Sequence, residues 1–312
     1  MLFEIALLIS LGLLVCAVLG ANNASACLGA GVGAGFFSYS FSVFLASLGV
    51  VLGVALEGTK LSKVLSEGVL AELSFESTLI LIVTILIVMT VASVFHLPLP
   101  LSEGLVGSAI GIGLGKGFEI NWEFTTVIFA SWVITPFFAA FLVIILSEIV
   151  KRVTRTTNNV LMANYVHNKT TMALSFYVSY GLGANTVGLI NGIFKPFVGN
   201  EWVGAIMFGL ATSLGIYFLS RGITESVGKG ITGLSPSAAL TVQLSSALTV
   251  HLFTQFGLPV SITQALVGSV LGVILIKKIS LTNTRFLRKI TAGWLLAPLL
   301  SLTVSYFFAN LF

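Results

Sequence analysis

The chain has 312 residues, 56% of them hydrophobic and only 8% charged, with a mean hydropathy of +1.07. A soluble domain carries about 25% charged residues, so this composition excludes a water-soluble globular protein and defines an integral membrane protein. The net charge of +4 and pI near 9.1 do not imply a nucleic-acid partner, because the basic residues follow a membrane topology described below.

The hydropathy predicts ten crossing segments, five in each half, and a bilayer span needs about 20 apolar residues. Residues 2–19 form the first. This stretch lacks the basic start of a signal peptide and runs directly into Gly20-Ala21-Asn22-Asn23, so it is read as a helix of the mature protein. Cys16 and Cys27 lie in apolar helical context and read as small buried hydrophobes, not as part of a disulfide or metal framework. The stretch from Gly20 through Gly29, Gly31, Gly33 and Gly35 is too glycine-rich to be a plain helix. Segment 31–56 follows, then an acidic loop at 57–76, then segments 77–95, 98–116 and 124–149. The last carries Trp132 and Pro136, with a kink expected at the proline. After a polar linker at 150–170, in which His167 is expected to be solvated, come segments 171–192, 201–219, 236–255, 259–276 and 291–311.

The two halves are repeats offset by 161–163 residues. Gly20-Ala21-Asn22-Asn23 returns as Gly183-Ala184-Asn185-Thr186, and LPLPLSEGLVGSAIG from Leu97 returns as LPVSITQALVGSVLG from Leu258. Trp132 and Pro136 return as Trp294 and Pro298. Five segments per half is odd, so the second half must be inverted. The expected organisation is a first repeat at 1–149, a cytoplasmic linker at 150–170 and a second repeat at 171–312. Charge supports this. With both termini outside the plasma membrane, eleven of the fifteen basic residues fall on the cytoplasmic side, in the linker, around 220–235 and in 277–290. The predicted fold is therefore an all-α integral membrane protein of two inverted-topology repeats of about five segments each, with discontinuous hairpin helices near the midplane.

Matched, short, Gly/Pro-interrupted segments in the two halves are the sequence feature that points to a transporter binding site. Segments 98–116 and 259–276 fit it. Pro98 and Pro259 break the chain, and small residues follow at helical spacing, Gly104, Gly107, Ser108 and Gly111 in the first and Gly268, Ser269 and Gly272 in the second. Backbone N–H groups freed at a helix start attract anions. Irregular backbone at this depth must lie inside protein or face water. His96 and His251 flank these segments and read as helix-end structural residues.

These blocks resemble the inorganic phosphate transporter family of cation-coupled anion symporters, which carries two G-A-N-D-x-x-N signatures and two P-x-S-T-[ST]-[HE] hairpin signatures. The resemblance runs the length of the chain through GANNASACLGAGVGAG from Gly20, GANTVGLING from Gly183 and the stretch from Ser220. It implies anion ligands at the hairpins and motif asparagines, here Ser102, Ser261, Thr263, Gln264, Asn22 and Asn185. It implies cation or proton coupling at Asn23, Thr186 and Glu103, with Na⁺ ligands among Asn22, Asn23, Asn185 and Thr186. The chain departs from the family in having no aspartate: Asn23 and Thr186 stand at the two motif positions, and Ala26 and Leu189 replace the later asparagines. Hairpins ending in Ser102-Glu103 and Gln264 look like the sulfate-carrying branch of the same family, whereas the wider family carries phosphate.

The expected function is import of an inorganic oxyanion, phosphate ahead of sulfate, by alternating access and in symport with H⁺ or Na⁺. The expected partners are that anion and the lipid bilayer, with a homodimer as one arrangement and no resident cofactor or metal. Glu103 is the expected proton carrier. A passive anion channel and a non-transporting sensor are the rival readings. No HExxH, GxSxG or nucleophile–base constellation suggests an enzyme.

Overall fold

The computed structural model describes residues 2–33, 39–70, 73–94, 99–155, 160–221, 235–277 and 284–311. Eleven α-helices account for most of them: α1 (Leu2–Gly33), α2 (Tyr39–Glu57), α3 (Phe75–Val94), α4 (Leu101–Lys116), α5 (Trp122–Arg155), α6 (Val160–Leu182), α7 (Gly188–Val198), α8 (Glu201–Leu219), α9 (Pro236–Gln255), α10 (Ile262–Lys277) and α11 (Thr284–Leu311). Among the described residues, six helical stretches are long and apolar enough to cross a membrane, including Leu2–Ala24, Trp122–Arg152 and Thr291–Leu311. The others are shorter or more polar. Every residue of α4 from Leu101 to Gly113 is buried, and a helix apolar all round belongs in an interior.

The repeat is visible in the contacts. A Cβ on Gly20 of α1 would strike the carbonyl of Thr212 in α8, and one on Gly183 would strike the carbonyl of Val50 in α2. Gly215 of α8 lies against Ala17 of α1, and Gly53 of α2 lies against Tyr180 of α6. Each contact becomes its mate when the two halves are exchanged. The same holds for α4 on α11 and α10 on α5, where Gly107 meets Pro298 and Gly268 meets Pro136. Exchange symmetry of this kind is a two-fold axis relating the halves.

Three features differ from the sequence-based expectation. The Gly20–Gly33 stretch is not broken: α1 runs through it as a continuous helix. Glycine costs a helix about 1 kcal/mol per residue, and here the close backbone crossing that Gly20 permits outweighs that cost. The repeat of this motif does depart from α geometry, with a π-helical turn at Gly183–Val187 between α6 and α7. Second, the linker 150–170 is largely helical, since α5 extends to Arg155 and α6 begins at Val160. Third, the 57–76 stretch is no open loop. It carries short helical turns at Gly58–Lys60 and Val64–Val69 and buries Leu61, Leu65, Val69 and Leu70. The predicted Pro98 break, His96, and the basic residues Lys229 and Lys278 lie outside the described residues.

Candidate functional site

The second hairpin is α9, a turn, and α10. Gly257, with φ of +68°, ends α9. The Leu258 N–H returns to the Phe253 carbonyl at 3.0 Å and the Gly257 N–H to the Thr254 carbonyl at 3.0 Å. This pattern uses glycine because its left-handed backbone carries no Cβ penalty. Residues 258–261 run without regular structure to Ser261, the cap of α10. The Ala265 N–H bonds the Ser261 carbonyl at 3.1 Å, and the Ser261 hydroxyl pairs with that of Thr263 at 2.7 Å. Ser261 and Gln264 are buried, and Thr263 is half-buried.

Serine followed three residues later by glutamine is a capping-box sequence, in which the glutamine side chain turns back to its own helix start. Gln264 does not do this. Its Nε2 donates instead to the Oε1 of Glu103 in α4. Glu103 holds the matching third position of α4, whose cap is Pro100, with the Gly104 N–H on the Pro100 carbonyl at 3.3 Å. Glu103 and Gln264 are therefore repeat counterparts joined across the pseudo-two-fold axis. Glu103 is fully buried, with Ser102 buried beside it. The second oxygen of Glu103 and the amide oxygen of Gln264 have no hydrogen-bond partner among the described residues. An acid and an amide, two helix starts and a group of hydroxyls thus meet at the hairpins.

Asn185, in the π-helical turn, fastens the second hairpin. Its Nδ2 donates to the Thr254 hydroxyl at 2.9 Å and the Leu258 carbonyl at 3.1 Å, and its Oδ1 accepts from the Val260 N–H at 3.2 Å. Thr186 is buried next to it. On α1, Asn22 is half-buried, and Asn23 is buried with its Nδ2 on the Leu19 carbonyl of its own helix at 3.2 Å. The structure thus brings together Glu103, Gln264 and the Ser261–Thr263 pair, with Ser102 adjoining Glu103 and Asn185 bonded into the 258–260 turn. Asn23 directs its amide to its own helix rather than to this group.

Sequence reading missed a fastening at the other side of the same turn. The Gln255 Nε2 donates to the Glu57 carboxylate at 2.6 Å and lies 3.1 Å from the His251 Nε2, while Lys60 donates to the Gln255 Oε1. His251 lies against the rings of Tyr177 and Tyr180. No periodicity marks these residues. The signal available was only that Glu57, Lys60 and Gln255 end apolar runs. Trp132 is also part of the frame, its indole N–H donating to the Pro259 carbonyl at 2.8 Å.

Replacing Asn185 with Ala would leave the Val260 N–H, the Leu258 carbonyl and the Thr254 hydroxyl without that partner. A buried group left unsatisfied costs about 1–3 kcal/mol. The expected result is a turn that opens more often. A cysteine at position 258 should then react faster with a membrane-impermeant thiol reagent, against a background in which Cys16 and Cys27 are buried. An unchanged labelling rate would show that Asn185 does not hold the turn.

The geometry defines a class: an inverted-repeat membrane protein whose two hairpins meet in its interior. The fold is shared with a solved structure described as the sodium-dependent phosphate transporter, with a TM-score of 0.90 and 20% identity, covering 99% of this chain and 98% of that one. The model of the phosphate transporter family matches residues 19–305, and the chain belongs to that family. Among its relatives is a protein of Methanocaldococcus jannaschii provisionally named a phosphate permease, 29% identical over 93% of this chain and 91% of the relative. Another is the sulfate permease CysP of Bacillus subtilis, 25% identical over 94% of this chain and 84% of the relative.

Proposed function

We propose that the protein is a cation-coupled secondary transporter that carries inorganic phosphate through the membrane by alternating access around the two hairpins. The observation that carries this reading is the Glu103–Gln264 pair, placed at the starts of α4 and α10 beside the Ser261 and Thr263 hydroxyls. Backbone N–H groups at helix starts and hydroxyls receive the anion's oxygens. Glu103 beside them, protonated in the loaded state, donates a hydrogen bond to the anion, and the match to the phosphate transporter family over residues 19–305 supports phosphate as that anion. Ser102 and Gln264 complete the anion shell, Asn185 positions the turn, and Glu103 carries the coupled proton. If sodium is the coupling ion, its ligands come from Asn22, Asn23, Asn185 and Thr186. The plasma membrane, with the termini outside and the 150–170 segment in the cytoplasm, is the location that fits the basic residues.

Coupling follows from the energetics. Moving one charge against 100 mV costs about 2.3 kcal/mol, so a dianion entering a negative interior needs roughly 5 kcal/mol. Two co-transported cations cancel that term. Sulfate is the second reading, favoured by the absence of aspartate from the chain and by the likeness to the sulfate permease.

Counterflow of labelled phosphate and of labelled sulfate in proteoliposomes, with and without Na⁺ and with an imposed pH step, separates the readings. Phosphate counterflow is expected to exceed sulfate counterflow. The reverse order assigns the sulfate reading. Flux far above carrier turnover with no accumulation assigns a channel, and no flux of either anion ends the transporter reading.

A further inference from the structure

Gln264 also lines a cavity of about 690 Å³ to which Ser261 and Thr263 do not contribute. It lies between the two crossed helix pairs, α5 with α10 and α4 with α11. Its walls carry both members of each repeat pair, Trp132 with Trp294 and Pro136 with Pro298, so it straddles the pseudo-two-fold axis. Among the described residues, Gln264 and Thr291 are its only side chains ending in oxygen; the rest of the lining is glycine, alanine, proline, aliphatic or aromatic. Its volume falls inside the roughly 300–1,000 Å³ of ligand pockets.

Its rim consists of apolar residues that point out of the protein. Phe137 is 72% exposed and Leu275 73% exposed, and Val133, Leu295 and Leu299 are exposed beside them. Those on α5 and α11 belong to stretches long and apolar enough to span a membrane. The cavity is thus continuous with the lipid-facing surface of the helices, and at this depth a bilayer offers hydrocarbon chains. A second copy of the protein is a poor occupant. An isologous contact sets the same patch on both subunits, so a groove centred on such a contact would face a groove and leave a void.

We infer that this cavity is a binding site for an acyl chain of a membrane lipid, which enters between α5, α10 and α11 from the bilayer. The chain forms the back wall of Gln264. It keeps water from reaching the Glu103–Gln264 pair from the membrane side, and it fills space that the prolines and glycines of the two crossings leave open. The inference rests on the fold and the cavity and is independent of which anion is carried.

The test uses the full chain in vesicles of dioleoyl phosphatidylcholine, compared with the same lipid brominated across its double bonds, which quenches tryptophan on contact. Of the four tryptophans, Trp122 and Trp202 are exposed. A Trp122→Phe/Trp202→Phe background leaves only the two cavity tryptophans to report. Ala140→Phe and Leu271→Phe, each made separately, fill the cavity from its α5 and α10 walls. The expected result is strong quenching in the background protein that falls at least twofold in either filled variant. Equal quenching in filled and unfilled proteins overturns the inference, because it would come from surrounding lipid only. Weak quenching throughout, with two copies crosslinking through α5 or α11, also overturns it and assigns the face to a dimer. If one filled variant fails to assemble, the other decides.

Discussion

Glu103→Gln is expected to abolish proton-driven accumulation of the anion while leaving exchange of internal for external anion near the parent rate. The substitution keeps the shape of the side chain. Two facing amides can each donate to the other's oxygen, so the contact between α4 and α10 survives. What is lost is a group that can gain and lose a proton in the interior. Intramembrane acids are costly and mark proton or ion pathways, and Glu103 is buried with one carboxylate oxygen unpartnered among the described residues. For each coupled proton, a pH step of one unit supplies about 1.4 kcal/mol, or tenfold accumulation. The parent protein should concentrate labelled anion about tenfold or more after an acid step outside, and the variant should only equilibrate it. Exchange needs no net proton movement and is the control for folding. Normal acid-driven accumulation by the variant would remove Glu103 from coupling. Loss of sodium-driven accumulation instead would make its carboxylate part of a cation site.

How much of this was legible beforehand differs from element to element. Hydropathy and the 161–163-residue offset located both hairpins, and the starts of α4 and α10 lie within three residues of the expected segment starts at 98 and 259. Those features rest on composition and repetition, which are properties of sequence. The pairing of Glu103 with Gln264 was in principle available too. Two residues that are repeat counterparts and lie near a two-fold axis must lie near each other. Local pattern alone does not single it out, because a Ser-x-x-Gln helix start is equally the sequence of a capping box closed within α10. A long-range partner with greater need for a hydrogen bond won that amide. The continuous α1 was not legible because glycine's local preference and its role in close packing have opposite signs. Only the neighbour, here the Thr212 carbonyl, decides between them. The Glu57–Lys60–Gln255 fastening depends on a chain reversal whose direction no periodicity encodes.

Gly107→Ala and Gly268→Ala are each expected to destabilise the protein, by similar amounts, whereas Gly181→Ala should stabilise it slightly. The three glycines all sit in helices, so propensity alone predicts the same gain of about 1 kcal/mol for each. Their surroundings differ. A Cβ at position 107 would lie 2.7 Å from the Pro298 Cα, and one at position 268 would lie 2.5 Å from the Pro136 Cα. Backbone atoms cannot swing aside as a side-chain tip can, so the two helices must separate. Overpacking a tight contact costs about 1–3 kcal/mol, enough to reverse the propensity gain. At Gly181 the nearest atom is a methyl of Val250 at 3.5 Å, an ordinary contact. The prolines at the crossings lack the N–H that would bond the carbonyls of Trp132 and Trp294, so each crossing pairs a helix with no side chain against one short of a hydrogen bond. Thermal unfolding of the three variants in detergent, followed by loss of the monodisperse peak, gives the comparison. Equal shifts at 107 and 268 with the opposite sign at 181 would tie the stability of the hairpins to these two symmetric crossings. A large loss at one glycine and none at the other would mean that the two crossings, alike in geometry, do not share the load.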